Sequence, residues 1–179
     1  MPQLHVPDVR FHRSFLAAMA EFRAEGRGGA DDDSMVGREI RTFGERWSQP
    51  QEFARYVADL HGQRGSAVPD GWVPCTTWWY ADGDTYLGRL AVRHRLNDWL
   101  LQYGGHIGYD VRAGARRRGH ATAMLREALP AVRALGIDRA LITCDTGNTA
   151  SRKVIEACGG VLEDERGGKL RYWVAAGTA

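Results

Sequence analysis

The chain has 179 residues, of which 44% are hydrophobic and 26% are charged, and this composition predicts one globular domain and excludes wholesale disorder. Its net charge is only +2, which does not suit a nucleic-acid-binding protein, and no apolar run reaches the roughly 20 residues that cross a bilayer. The three cysteines lack metal-ligand spacing and the first residues lack the apolar segment of a signal peptide, so we expect a reduced, cytoplasmic protein with no metal, membrane or nucleic-acid partner.

Two amphipathic helices are predicted in the first third of the chain. Apolar residues recur at helical spacing in residues 9–25 and again after Pro50, which is the pattern of helices with one buried face. Between them, residues 26–34 are rich in glycine and charge and predict an exposed loop. The three adjacent aspartates of this loop, at residues 31–33, are expected to be solvated or to cap the next helix rather than to bind a cation.

From residue 73 onwards the apolar pattern changes to that of strands. Residues 73–80 are rich in Thr, Trp and Tyr, and a turn joins them to a second strand at residues 86–92. A helix is predicted at residues 119–135, where Pro130 should kink or split it. This order of elements favours a mixed α/β domain on a largely antiparallel sheet. The remaining predicted elements are strands at residues 105–111, 139–145, 161–165 and 169–174, and a helix at residues 148–158.

A basic turn joins a predicted strand to a predicted helix around residues 112–121. A helix N-terminus offers unpaired N–H groups and a partial positive charge, and both favour bound phosphate. Gly119 lets the backbone approach an anion, Ala121 leaves room beside it, and the arginines at residues 116–118 supply charge and fork-shaped donors. An isolated run of arginines would more simply be a solvated turn, but its place between strand and helix favours a diphosphate site. The turn has neither the Walker lysine nor a complete dinucleotide glycine pattern.

The same turn resembles the central motif of the GNAT superfamily of N-acetyltransferases. That motif reads Arg or Gln, two residues, Gly, one residue, then Gly or Ala, and here it is Arg116-x-x-Gly119-x-Ala121. Asn148, with the small residue Ser151 three positions on and a helix that ends in glycine, is similar to the next element of that superfamily. The two elements occur in the expected order along the chain.

The resemblance is specific over residues 86–174, and before them only the order of the elements agrees. The segments at residues 92–97 and 104–109 are similar to the corresponding sequences of a bacterial subgroup of predicted acetyltransferases. The resemblance implies a single GNAT-like domain over residues 1–179, with a mixed, largely antiparallel sheet of six to seven strands flanked by about four helices. Residues 86–174 would form the core that binds acetyl-CoA, or another acyl-CoA, as co-substrate.

The resemblance also implies how this co-substrate is held. Two parallel strands, at residues 105–111 and 139–145, would part to admit the pantetheine arm, while the basic turn holds the pyrophosphate. The N–H group of Val111 would polarise the thioester carbonyl, and Asn148 and Ser151 would line the pantetheine path. The full set expected to bind the co-substrate is Val111, Arg112, Arg116, Arg117, Arg118, Gly119, His120, Ala121, Thr122, Asn148 and Ser151.

Acyl transfer to an amine needs a base that removes a proton and is helped by an acid that protonates the departing thiolate. In many superfamily members this acid is a tyrosine seven residues after the Asn; here that position is Ile155, so another residue serves or the thiolate leaves unassisted. Asp110 faces opposite to Tyr109 in an ideal strand, so one of the two should point away from the cleft unless a bulge intervenes. The candidates are His106 as base, Tyr109 as acid, and His94 and Asn97 for acceptor binding. For the two histidines, a role as hydrogen-bonded sheet residues is an equally open interpretation.

The leading hypothesis is an enzyme that transfers an acetyl or other acyl group from a coenzyme A thioester to an amine of a small molecule. Two alternatives stay open. One is an acyl carrier protein as donor, whose acidic surface would suit the arginines at residues 116–118. The other is a non-catalytic acyl-CoA-binding regulator, which Ile155 permits. The sequence does not indicate which amine accepts the group. Dimers are common among the proteins that the chain resembles, so a homodimer also stays open.

Overall fold

Seven strands form one mixed sheet in the computed structural model, which describes residues 1–65 and 68–177. The strands are β1 Gln3–His5, β2 Cys75–Asp82, β3 Thr85–Arg93, β4 Ile107–Val111, β5 Arg139–Asp145, β6 Val161–Arg166 and β7 Lys169–Ala175. They lie in the order β1-β2-β3-β4-β5-β7-β6. Every neighbouring pair is antiparallel except β4 and β5, which are parallel. The largely antiparallel sheet expected from the sequence is confirmed; residues 66, 67, 178 and 179 of the expected domain lie outside the described ones.

The six strands predicted from the sequence are confirmed, each within two residues of its predicted ends. β1 was not predicted, because three residues are too few to show an alternating pattern. It pairs with β2 at the edge of the sheet, with Leu4 opposite Tyr80. The N–H group of Leu4 also donates a hydrogen bond to Glu127 at 2.9 Å, which ties this edge strand to a helix behind it.

Five α-helices of nine or more residues flank the sheet in the described part of the chain, and none is long and apolar enough to cross a membrane. α2 is the one that the sequence did not predict. Its N-cap is Ser34, whose hydroxyl accepts a hydrogen bond from Gly37 N–H at 3.1 Å. Its buried apolar side chains are only Val36 and Ile40, and two residues are too few to show a helical period in the sequence. α4 runs unbroken through Pro130. This proline lies on the exposed face of the helix, where the backbone carbonyl that loses its N–H partner can bind water instead. The helices are α1 His12–Ala24, α2 Met35–Phe43, α3 Pro50–Gly62, α4 His120–Ala134 and α5 Thr149–Ala157.

Two cores hold the sheet from opposite faces. On one face, α1, α2 and α3 enclose an aromatic cluster in which Phe15 lies 5.0 Å from Trp47, 5.2 Å from Phe53 and 5.2 Å from Trp79, measured between ring centroids. Each such contact contributes about 1 kcal/mol beyond the burial of its area. On the other face, α4 and α5 pack against aliphatic side chains of the sheet. The main members of this second core are Leu90, Ile107, Met124, Leu125, Val132, Ile142 and Ile155.

The turn between α1 and α2 is more ordered than the exposed loop expected from the sequence. Asp32 is only 14% exposed, and its carboxylate accepts hydrogen bonds from the N–H groups of Gly28 and Ser34, both at 3.0 Å, and from Arg27 at 3.3 Å. Burial alone would raise the pKa of Asp32, but the hydrogen bonds and the Arg27 charge outweigh it and lower the pKa to about 2. One of the three aspartates therefore organises the turn, while its two neighbours remain exposed.

Asp32→Asn should lower the free energy of unfolding by about 2 kcal/mol near neutral pH, because the folded state favours the ionised carboxylate by about that amount. The folded-state pKa is depressed, so the stabilisation is present above about pH 4 and is lost as the pH falls toward about 2. Urea unfolding of both proteins at several pH values checks this. A stability difference that is the same in acid as at neutral pH would show that the charge of Asp32 does not contribute.

Candidate active site

The edge of β4 that faces β5 is open along most of its length. Among the described residues, the two strands pair at one position, Ile107 opposite Ile142. The other edge of β4 is hydrogen-bonded to β3. This bonding continues past the end of β4, where Arg112 N–H donates to a β3 carbonyl at 2.9 Å. Because N–H groups alternate between the two edges of a strand, those of Tyr109 and Val111 face the gap. Two backbone donors thus lie where the resemblance places the thioester carbonyl.

A cavity of about 630 Å³ lies beside this gap, between the N-termini of α4 and α5. Nine of the eleven residues predicted to bind the co-substrate line it, and Arg112 and Arg118 do not. The described residues contain no group of three or more His, Cys, Asp or Glu side chains placed to hold a metal ion. The predicted residues on the cavity wall are Val111, Arg116, Arg117, Gly119, His120, Ala121, Thr122, Asn148 and Ser151.

The turn before α4 is shaped to bind an anion. Gly119, the N-cap, has φ +78° and Arg117 has φ +62°; left-handed residues in such a turn aim successive N–H groups at one point. The first backbone bond of α4 runs from Ala123 N–H to Gly119 O at 3.0 Å, and no side chain caps the helix. The N–H groups ahead of that bond remain for a ligand. They belong to His120, Ala121 and Thr122.

Two of the arginines expected to contact phosphate are paired with carboxylates in α1 and at its C-terminal end. Arg112 donates to Glu21 through Nε at 3.0 Å, and this hydrogen bond is the main reason that the pKa of Glu21 is lowered. Arg116 forms a two-pronged pair with Glu25 at 2.5 and 2.7 Å, and its Nε donates to Val111 O at 2.9 Å. Arg112 lies off the cavity and fixes the turn to α1, and its contact with the co-substrate stays a prediction that this geometry does not support. Arg118 is exposed and also lies off the cavity.

Tyr109 and Asp110 both line the cavity, although they lie on opposite faces of β4. The Tyr109 hydroxyl lies 2.8 Å from the Ser151 hydroxyl on the α5 side, and burial raises its pKa, so it is a neutral hydrogen-bond donor. Asp110 lies on the α1–α3 side, with Arg27 and Arg89 nearby. As expected for neighbours in a strand, the two side chains project from opposite faces of β4, and both residues contribute to the wall of the one cavity.

His106 holds β4 and β5 together just before they part. Its N–H donates to Leu141 O at 2.6 Å, and its ring Nδ1 accepts from Leu141 N–H at 2.9 Å. Burial, with Arg93 as the second cause, lowers the pKa of His106 to about 4. A neutral ring that accepts at Nδ1 carries its proton at Nε2, so neither nitrogen is free to take a proton from an amine. The ring of His106 also does not line the cavity. This geometry does not support the role as base that was expected from the sequence.

The side chains of His94 and Asn97 hold the loop that follows β3. His94 Nε2 lies 2.8 Å from the Thr76 hydroxyl. Asn97 accepts from Leu100 N–H at 2.8 Å and donates to Gly71 O at 3.0 Å. Neither residue lines the cavity. Acceptor binding by these two side chains stays a prediction, and the contacts that the structure gives them are local.

A family model described as an acetyltransferase (GNAT) domain matches residues 30–161. The match covers well over half of the chain and includes the open strand edge, the turn and the start of α5. The chain belongs to the GNAT acetyltransferase family. The resemblance of the turn and of the Asn148 element to this family is thereby confirmed.

Solved structures of GNAT proteins share the fold of this chain. The microcin C7 self-immunity acetyltransferase MccE, in complex with acetyl-CoA and AMP, is 15% identical, with 97% of this chain and 92% of that one covered and a TM-score of 0.64. RimJ from Mycobacterium smegmatis, in complex with CoA-disulfide, is 16% identical, with coverages of 98% and 82% and a TM-score of 0.68. The ribosomal-protein-S5-alanine acetyltransferase from Vibrio fischeri is 12% identical, with coverages of 98% and 93% and a TM-score of 0.67. No curated protein sequence matches the chain.

Sequence reasoning missed the group of charges that this GNAT protein buries on the α1–α3 side of β4. Arg89 is 2% exposed in the middle of β3, and its partner Glu39 lies on the unpredicted helix α2. One signal was present: an arginine flanked by apolar residues in the interior of a strand needs a buried partner. The identity of that partner could not be read, because α2 carried no clear helical period.

His106→Asn should remove a large part of the acid sensitivity of this fold. As the pH falls from about 7 to about 4, the unfolded chain protonates His106 while the folded chain does not, so the free energy of unfolding falls by about 3 kcal/mol. An Asn side chain can still accept from Leu141 N–H but does not titrate. Urea unfolding of both proteins across this range measures the effect. Equal losses of stability would show that His106 is not held neutral by the fold.

Proposed function

We propose that this GNAT protein transfers an acetyl or other acyl group from a coenzyme A thioester to an amine of a small molecule. The observation that carries the proposal is the continuity of the cavity: free N–H groups at the turn before α4 lead directly to free N–H groups of Tyr109 and Val111 in the gap. The first set suits a pyrophosphate, and the second suits the oxyanion of acyl transfer. MccE with acetyl-CoA and RimJ with CoA-disulfide support the same donor.

The residues around the gap fit the steps of acyl transfer. The amine attacks the thioester carbon, the C–N bond forms, and the carbonyl electron pair moves to the oxygen, which the N–H groups of Tyr109 and Val111 stabilise. When the C–S bond breaks, the thiolate takes a proton. Tyr109 suits this step because the residue lines the cavity and burial keeps its hydroxyl protonated, so it replaces the tyrosine that is absent at Ile155.

The acceptor amine is the least defined partner. Some structural neighbours are named for ribosomal proteins, such as the S5-alanine acetyltransferase, and MccE is named for self-immunity to microcin C7. An acceptor panel should therefore hold small amines, polyamines, aminoglycosides and a peptide with a free α-amine. A single assay of the thiol released from acetyl-CoA detects acyl transfer to any of these acceptors. Tight binding of acetyl-CoA with no thiol released by any amine would favour the regulator, and transfer only from a loaded carrier protein would favour the carrier as donor.

Gly119→Ala should weaken acetyl-CoA binding at least tenfold, or about 1.4 kcal/mol. A Cβ there meets no other atom within 4 Å, and Gly119 lines the cavity, so the new methyl group enters the space proposed for the pyrophosphate. Gly136→Ala is the matched control, since Gly136 has φ +82° and equally open surroundings beyond the other end of α4. Both variants should lose about 1 kcal/mol of stability from the left-handed backbone.

Calorimetric titration with acetyl-CoA separates the two glycines. The control should keep the wild-type affinity, because Gly136 lies far from the turn before α4. Equal affinities in the two folded variants would overturn the assignment of this turn to the pyrophosphate.

Tyr109→Phe should lower kcat about 10²-fold, because the thiolate would leave without a proton donor, while acetyl-CoA affinity stays near that of the wild type. Tyr172→Phe is the matched control, since it removes a hydroxyl that is bonded to Glu156 at 3.1 Å and does not line the cavity. Thiol release at saturating amine measures the rate. An unchanged kcat in Tyr109→Phe would mean that the thiolate departs unassisted.

A further inference from the structure

Five charged side chains pack together on the α1–α3 side of β4. Two are arginines and three are acids, and Arg93, four residues along β3 from Arg89, brings a further positive charge next to them. Arg27 pairs with Asp32 at 3.3 Å, and Arg89 pairs with Glu39. Asp110 lies between the two arginines, 3.8 Å from Arg27 and 3.7 Å from Arg89.

Asp110 is the carboxylate of this cluster without a hydrogen bond. Asp32 accepts from two backbone N–H groups, and Glu39 accepts from the Tyr56 hydroxyl at 2.7 Å as well as from Arg89. Among the described residues none donates a hydrogen bond to the Asp110 carboxylate, and both arginines lie beyond hydrogen-bonding distance. A largely buried carboxylate with spare acceptor capacity is costly unless something else binds it.

The open edge of β4 gives Asp110 access to the cavity. The side chain is 12% exposed, and Asp110 is part of the cavity wall. In the chain it lies between Tyr109 and Val111, whose N–H groups face the gap, and it projects from the opposite face to the Tyr109 side chain. Asp110 and Tyr109 therefore flank, from opposite faces of β4, the open strand edge that carries these N–H groups.

We propose that Asp110 binds the acceptor amine and accepts its proton; this inference rests on the proposed acyl transfer. The carboxylate of Asp110 has spare acceptor capacity on the cavity wall, and a protonated amine is the donor that the reaction supplies. The ammonium passes one proton through Asp110 to solvent, and the neutral amine attacks the thioester carbon. As the C–N bond forms and the C–S bond breaks, the second proton of the nitrogen passes to Asp110. The thiolate takes the Tyr109 proton, and solvent carries the proton of Asp110 back to the tyrosine.

The surroundings of Asp110 tune it toward this task. Burial raises the pKa of Asp110, and the charges of Glu39 and Asp32 act in the same direction. Arg89 and Arg27 oppose this rise, and the outcome is a pKa above the usual value of an aspartate. A base works best when its pKa approaches the working pH. The charge of Asp110 in turn contributes to the raised pKa values of the buried Tyr86 and Tyr109 hydroxyls.

Asp110→Asn tests the inference, because it removes the base and keeps the size of the side chain. We expect kcat for thiol release from acetyl-CoA, with the best amine of the panel at saturation, to fall roughly 10²–10⁴-fold. The affinity for acetyl-CoA should not change. Asp138→Asn is the matched control: the same chemical change at a side chain that is 82% exposed should leave both quantities unchanged.

A second variant gives a readout that a purely structural role would not move. Arg27→Gln removes a charge that lowers the pKa of Asp110, so the acidic limb of the kcat profile should shift to higher pH. The shift should be absent when Asp110 is also replaced. This variant keeps the inference testable if Asp110→Asn does not fold.

The outcomes distinguish the two levels of the proposal. A wild-type protein that neither binds acetyl-CoA nor releases thiol with any amine would overturn the proposed function, and this inference with it. A wild-type protein that turns over, with Asp110→Asn folded and equally fast, would overturn the role of Asp110 alone. An acidic limb of the kcat profile that does not shift in Arg27→Gln would also overturn the role of Asp110.

Discussion

The gap between β4 and β5 is the constraint on which the site depends. Two parallel strands that pair at one position and then part leave β4 with one bonded edge and one open edge. The open edge offers backbone donors that need no rearrangement to bind an oxyanion. The same gap lets side chains from both faces of β4 reach a single cavity. One backbone feature thus accounts for the donors and for the placement of Tyr109 on one face and of Asp110 on the other.

A gap of this kind is costly, because backbone groups lose their strand partners, and three local devices stabilise it. His106 bonds to both backbone groups of Leu141 at the last point before the strands part. Glu21 and Glu25 hold Arg112 and Arg116 and so fix the turn to α1. The left-handed conformation of Arg117, unfavourable for a side chain of this kind, is maintained by this surrounding structure.

The sequence predicted the parts of the fold that have a local signal. Six strands, four of the helices and the turn around Gly119 each carried a period, a glycine or a motif within about ten residues. Helix α2 did not, since its pattern is interrupted by glycine and charge. The site was only partly predictable for the same reason: nine cavity residues belong to two local motifs, whereas Arg89 and Glu39 meet only through tertiary packing. The role of His106 depended on which nitrogen meets Leu141, and no sequence pattern carries that information.

The cavity draws its two halves from distant parts of the chain. The wall beneath the proposed pyrophosphate comes from β4, α4 and α5, whereas Arg27 and the acids around Asp110 include members of the segment between α1 and α2. Glu25, the first residue of that segment, also pairs with Arg116 of the phosphate turn. The two ends of the cavity are therefore linked through this ion pair. Under the proposed roles, substitutions among the ten residues between α1 and α2 would change the acceptor end of the cavity, and a substitution of Glu25 would also disturb its donor end.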